Sequence, residues 1–253
     1  MPALSLRGLT KSYESVLAVR SCTLDLWPGQ IMGFVGPNGA GKTTTMRCVC
    51  GILSPTSGRV RIAGHDLGDD PIGAKASLAY IPDDPKLFDA LTVWEHLEFA
   101  AAAYRVAGWK PKAEALLDRF ELAEKRKALT MELSRGMRQK LAIACGYLHD
   151  PALILLDEPL TGLDPMGIRV MKESMRERAA AGAALLVSSH LLALVEDLVT
   201  HVLIVVKGEQ RFVGTTAEAR TAFATREGAA LEEVFFSATA DRPTDNSTPV
   251  NGS

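Results

Sequence analysis

The run "GPNGAGKTT", Gly36 to Thr44, constrains this chain more than any other stretch. Glycine in ordered structure costs roughly 0.5–1 kcal/mol relative to alanine, yet three glycines stand within positions 36–41. That concentration is useful where backbone N–H groups must turn inward around one anion and side chains would obstruct them. Gly36-x-x-x-x-Gly41-Lys42-Thr43 has the spacing of a phosphate-binding loop. The flanks agree with it. The apolar run "GQIMGFVG" reads as a buried strand, and a helical pattern starts at Lys42, which brings a positive helix end to the phosphates. In this reading Gly36, Asn38, Gly39 and Gly41 build the cradle. Lys42 places a point charge on the β- and γ-phosphates, the Thr43 hydroxyl ligates Mg²⁺, and Thr44 donates to the α-phosphate.

Nucleotide binding alone does not make a hydrolase; the further parts it needs stand downstream. "LILLDEP" ends a buried strand on two acids. Asp157 stands where a carboxylate holds Mg²⁺, and Glu158 where a second one polarises the attacking water. Paired acids at a strand end are costly without a cation beside them, and the metal would supply it. His190 closes the next apolar strand, "AALLVSS". There it can reach the γ-phosphate and the water, although a lone histidine in such a place is more often structural. In "ELSRGMRQKLAIACGYL", Ser134 can cap a helix whose buried face is read as Met137, Leu141, Cys145 and Leu148. A capped amphipathic helix accounts for this segment completely, but with Gly136 nearby its start is also a second anion site.

The rest of the chain sets these motifs in order. "LSLRGL", "AVRSCTLDL" and "GRVRIAG" read as strands of a small antiparallel layer. Thr92 with Glu95 three residues on forms a capping-box pattern, followed by Val93, Leu97, Ala101 and Tyr104 at helical spacing. A second helix is expected near Pro111 to Phe120 and a third after Ser134, so residues 84–150 read as a helical insertion. Asp164-Pro165 reads as an N-cap and first helical position, and "HVLIVVKGEQRFVG" as a hairpin. The stretch from Ala179 to Val195 approaches the roughly 20 residues of a membrane span, but Ser188, Ser189 and His190 near its middle favour a buried strand followed by a helix. From Ser237 the chain has almost nothing to bury, and residues 237–253 read as a disordered tail.

Taken together, the motifs resemble those of the nucleotide-binding subunit of an ATP-binding cassette (ABC) transporter, from Leu4 to about Phe236. The distinguishing element is "LSRGMRQ", Leu133 to Gln139, lying between the two phosphate-site motifs. The resemblance implies an α/β fold: a P-loop NTPase (RecA-like) core with a small antiparallel β layer and a helical insertion subdomain, spanning residues 1–236. It implies an ATPase using ATP and Mg²⁺, with Glu158 as catalytic carboxylate, His190 as switch histidine and Tyr13 stacked on adenine. It implies two subunits packed head to tail, each ATP gripped by one subunit's loop and the other's Ser134 and Gly136, with "TGLD", Thr161 to Asp164, communicating between them. It implies a separate transmembrane permease, contacted by the insertion and the loop at Asp83 and Asp84, and a place on the cytoplasmic face of the membrane. Three departures stand out. Arg135 and Met137 replace the usual Gly and Gln of the signature. Thr161 and Gly162 replace Ser and Ala. Asp83 in "YIPDDP" replaces a glutamine that contacts Mg²⁺; an acid can still ligate metal but adds negative charge near phosphate. The details resemble bacterial exporter subunits.

Composition limits the alternatives. The net charge of −2 carries no basic stripe, which disfavours a nucleic-acid partner and hence a soluble ABC ATPase acting on nucleic acid or ribosomes. A binding-only regulator is disfavoured by Asp157, Glu158 and His190 together. Cys48 and Cys50 are one residue apart, not at zinc spacing, so core packing is expected of the four cysteines.

Overall fold

The computed structural model describes residues 1–14, 16–190, 192–223 and 230–239. Strands β1 (Leu4–Tyr13) and β2 (Val16–Leu26) pair antiparallel, with Leu4 opposite Leu26. β3 (Ile31–Val35) leads through the glycine loop into α1 (Lys42–Val49). β4 (Ser57–Ile62) and the short β5 (His65–Asp66) extend the antiparallel layer beyond β1, and α2 (Pro71–Ala76) leads to β6 (Leu78–Ile81). The insertion follows: α3 (Val93–Ala103), α4 (Trp109–Arg119), two single 3₁₀ turns and α5 (Arg135–Tyr147). The chain then alternates through β7 (Leu153–Asp157), α6 (Pro165–Ala180), β8 (Ala184–Ser189), α7 (Leu192–Val195), the β9 (His201–Val206) and β10 (Glu209–Thr215) hairpin, α8 (Thr216–Phe223) and α9 (Leu231–Thr239).

The described strands form one sheet in the order β5-β4-β1-β2-β10-β9-β3-β8-β7-β6. Its parallel part, β9-β3-β8-β7-β6, is covered on both faces, which is why its strands are unbroken apolar runs. Alternation decides the face: Ile154 and Leu156 of β7 join a cluster with α3 to α6, while Leu153 and Leu155 join the opposite cluster with α1 and the antiparallel layer. The antiparallel layer is not free-standing. It continues the main sheet through the pairing of Glu209 in β10 with Arg20 in β2.

The helical insertion has no core of its own, because Leu97, Leu117, Phe120 and Leu141 lie in the same cluster as the sheet residues Ile81 and Val187. Its helix starts follow the sequence closely. Thr92 Oγ1 accepts from the Glu95 N–H at 3.2 Å, and Glu95 reciprocates on the Thr92 N–H at 2.7 Å. The Asp164 carboxylate accepts from the Gly167 N–H at 2.6 Å. The 179–195 stretch is the end of α6, then β8, then α7, and no helix among the described residues is long and apolar enough to cross a membrane.

Tyr104, last of the residues at helical spacing, is the C-cap of α3, 42% exposed, and its ring lies flat on His149 at 3.7 Å. Three expectations need correction. Met137 and Cys145 are only partly buried, because α5 turns Ile143, Ala144 and Tyr147 inward with Leu141 and Leu148. α4 begins at Trp109, earlier than Pro111, because Gly108 adopts a left-handed conformation there. The tail expected from Ser237 starts too early. Ser237 to Thr239 complete α9, which the buried Leu231 and Val234 anchor; residues 240–253 lie outside the described residues.

Candidate active site

Strand register decides which residues meet. Val35 pairs with Ser189, Asp157 with Ser188, and Ile81 with Leu156, so β3, β8, β7 and β6 end level at their carboxyl edge. That edge is where open α/β sheets bind ligands. It carries the glycine loop after β3, Asp83 after β6, Asp157 and Glu158 at β7, and Ser188 to His190 at β8.

The loop geometry explains its glycines. A Cβ on Gly36 would stand 2.5 Å from the Val205 carbonyl oxygen, and one on Gly41 would stand 2.3 Å from that of Ala18. Gly41 also has φ of 100°, closed to side-chain-bearing residues. As a result α1 starts with no side-chain cap, unlike α2, α3, α5 and α6, each capped by a side chain; its first turn also carries no acid. Its open N–H groups are left for an anion.

Beside this helix end is a cleft of ≈ 310 Å³ lined by Asn38, Gly39, Ala40, Gly41 and Lys42, by Thr43 and Thr44, and by Asp83, Asp157 and Glu158. Ala18 of β2 completes the wall, a contributor that no sequence motif marks. Lys42 is buried, and its Nζ donates to the Gly36 carbonyl at 2.6 Å. Burial holds its pKa below the usual lysine value, while Glu158 and Asp157 oppose that shift.

Each acid in the cleft has a partner of its own. The buried Asp157 accepts from Ser188 Oγ at 2.5 Å. The same hydroxyl accepts from the Glu158 N–H at 3.0 Å, so one serine sets both members of the Asp-Glu pair. Glu158 has φ of 50°, a left-handed conformation that costs a non-glycine residue about 1–2 kcal/mol. The turn aims its carboxylate at His190, whose Nδ1 lies 2.8 Å from Oε2. Asp83 accepts from Arg135 at 2.8 Å. Ser188 and Arg135 contact the acids of the cleft; no motif assigned Ser188 a place there, and Arg135 stood out only as a departure within the signature segment. A hydroxyl buried in an apolar strand next to the histidine was the available signal for Ser188.

Other expected residues stand apart. Gly36 contributes its carbonyl to Lys42 and does not line the cleft. Tyr13 ends β1, 42% exposed, with Lys11 Nζ 5.0 Å from its ring centre. Ser134 and Gly136 are outside the cleft of their own chain. Ser134 caps α5 through the Met137 N–H at 3.3 Å, and a Cβ on Gly136 would come within 3.2 Å of Leu163. The described residues hold no group of three or more His, Cys, Asp or Glu placed for a metal. Thr43 and Asp157 do offer hard oxygen donors, the set by which Mg²⁺ is held together with substrate phosphates rather than in a full protein cage.

The pattern of the ABC transporter family matches residues 19–161, a span that takes in the glycine loop, the signature segment and the Asp-Glu pair. The chain belongs to the ABC transporter family. It is 36% identical to the ABC-type transporter ATP-binding protein EcsA of Bacillus subtilis, over 94% of this chain and 97% of EcsA. It is 34% identical to the SkfA peptide export ATP-binding protein SkfE of the same organism, over 83% of this chain and 87% of that one. A solved ATP-binding subunit of an ABC transporter superposes with a TM-score of 0.89 at 34% identity, covering 93% of this chain and 99% of that one. This ABC subunit binds and hydrolyses ATP, coupled to transport. The cleft described above is where its carboxylates, lysine and open helix end converge.

Proposed function

We propose that the chain closes against a second ATP-binding subunit around two Mg-ATP molecules and thereby drives a separate membrane permease, in the export direction. One observation carries the paired arrangement: Ser134 and Gly136 begin a capped helix that lies outside the cleft of its own chain, with Ser134 exposed. A head-to-tail partner would bring that helix end to the triphosphate. The permitted pair includes two copies of this chain, since one chain carries every part of both half-sites.

In this reading the N–H groups at the start of α1 and the Lys42 ammonium bind and orient the triphosphate. Thr43 and Asp157 would hold Mg²⁺, which would supply charge neutralisation to the triphosphate. Glu158 accepts a proton from the attacking water as it approaches the γ-phosphate. His190 fixes the Glu158 carboxylate from its far side, and Ser188 fixes its backbone. Tyr13 offers an exposed aromatic face for the adenine.

The permease reading rests on an apolar groove of ≈ 420 Å³ whose walls include Ala79, Pro82, Phe88, Phe99 and Ala142. Phe88 and Phe99 are each more than half exposed. The groove adjoins the Asp83 loop and fits a short apolar helix from the cytoplasmic side of a permease, which supports a position at that membrane face. The export direction follows the similarity to SkfE, an export ATP-binding protein by name.

The test uses Glu158→Gln, which keeps shape and removes the base. Turnover should fall about 10²- to 10⁴-fold with ATP affinity retained. Light scattering on the variant with Mg-ATP should give twice the monomer mass. A variant that still turns over at the parent rate refutes the reading, and one that binds Mg-ATP yet remains monomeric refutes the pairing of two copies of this chain.

A further inference from the structure

We infer that Arg135 is a positioning residue for nucleotide binding: it holds and neutralises Asp83, the one acid in the cleft that the family pattern does not call for. This rests on reading the cleft as the ATP site.

The charges in the cleft raise the problem. Asp83, Asp157 and Glu158 line it, against a single lining cation, Lys42. A triphosphate entering there meets carboxylates that repel it. Asp157 has Ser188 and a role toward Mg²⁺, and Glu158 has His190 and the water. Asp83 stands where the resemblance places a neutral glutamine, so its charge is an added cost to anion binding.

Arg135 is in an unusual place for a cation. It is the first residue of α5, and α5 has no acid in its first turn. Positive charge at a helix N-terminus opposes the helix dipole, by about 0.3–1 kcal/mol at an exposed position. A second arginine in that turn, Arg138, is committed locally, its guanidinium donating to the Leu133 carbonyl at 2.7 Å. Arg135 reaches out of its helix instead, to Asp83 at 2.8 Å. The neighbouring Asp84 is paired with Lys86, which leaves Asp83 to Arg135.

The reach is supported along its length. The Arg135 stem crosses Gly162, where a Cβ would lie 3.6 Å from Arg135 Cδ and 3.7 Å from Nε. Gly162 itself has φ of 78°. Three departures from the family pattern, Asp83, Arg135 and Gly162, therefore meet at one point. The first two account for each other: the acid needs a counter-charge, and the counter-charge crosses from α5 over Gly162, where even a Cβ would make only ordinary contact with the stem. Both groups are about half exposed, so the pair works as a local charge balance and not as a large source of stability.

The experiment is a double-mutant cycle on ATP affinity, read by equilibrium titration of the full chain in EDTA at low ionic strength. Metal ligation is then excluded and the charge effect is least screened. Arg135→Gly should weaken ATP binding about threefold to fivefold, the scale of a half-exposed ion pair. In an Asp83→Gln background the same change should move affinity less than about 1.5-fold. Thermal melts of all four proteins check folding, and Arg135→Gln serves as a second variant that keeps the stem. An equal loss in both backgrounds means that Arg135 meets phosphate directly and overturns the inference, as does no loss in either. A parent chain without ATP affinity overturns the reading of the cleft itself, and this inference with it.

Discussion

Ser188 has more than one task at the scale of single residues. Its buried hydroxyl donates to Asp157 and accepts from the Glu158 N–H, so it orients Asp157 and anchors the strained residue beside it. Ser188→Ala leaves the buried Asp157 carboxylate and the half-buried Glu158 N–H without that partner. Unsatisfied buried polar groups cost about 1–3 kcal/mol. Chemical denaturation should register a loss in that range, and phosphate-release assays a reduced turnover. A loss below about 0.5 kcal/mol would show the hydroxyl to be a bystander. The sequence made Asp157, Glu158 and His190 visible because acids and histidine at strand ends are conspicuous. Ser188 was less visible, since a serine in a strand has no distinctive spacing.

Among the secondary-structure elements, helix starts are where local chemistry and function part company. α3 begins with a complete capping box, and Thr92→Ala should destabilise the protein by about 1 kcal/mol, seen as a lower midpoint in denaturant. An unchanged midpoint would mean that the loop before α3 supplies substitute acceptors. α1 begins without any such cap, and its stability comes from the buried Met46, Cys48 and Val49 instead. That contrast was legible in advance: Thr92-x-x-Glu95 is a cap written in sequence, while Gly39-Ala-Gly41 is the absence of one. The face each helix buries was harder to read. The α5 stripe named Met137 and Cys145 but omitted Tyr147, because periodicity on one helix does not reveal how many neighbours surround it.

For the molecule as a whole, the insertion is tied to the sheet through polar as well as apolar contacts. His149, just beyond α5, faces the Leu78 carbonyl at 3.2 Å through Nε2 and stacks on Tyr104, so it links α5, β6 and α3. Its Nδ1 is buried without a partner. Burial lowers its pKa from the ordinary 6.5, Lys112 adds to that, and the Leu78 carbonyl and Asp150 oppose it. The sign follows: the unfolded chain takes up the proton more readily than the folded one. Stability from neutral His149 is therefore full above about pH 6.5 and is lost as pH falls through the lower folded value. Denaturation midpoints measured across that range should decline toward acid, and His149→Gln should flatten the slope. An unchanged slope would place the acid sensitivity elsewhere.

The sequence alone determined what depends on neighbours along the chain. Glycine spacing dictates a loop of inward N–H groups, apolar runs dictate strands covered on both faces, and caps dictate where helices start. These follow from backbone sterics and hydrogen-bond satisfaction within a few residues. Tertiary structure decided which distant groups become partners. Register brought Ser188 to Asp157, the path of β2 brought Ala18 to the cleft, and the placement of α5 brought Arg135 across Gly162 to Asp83, a residue 52 positions away. A charge on the chain has no preferred partner until the fold sets the distance, and electrostatic attraction among side chains is strong only within a few ångströms.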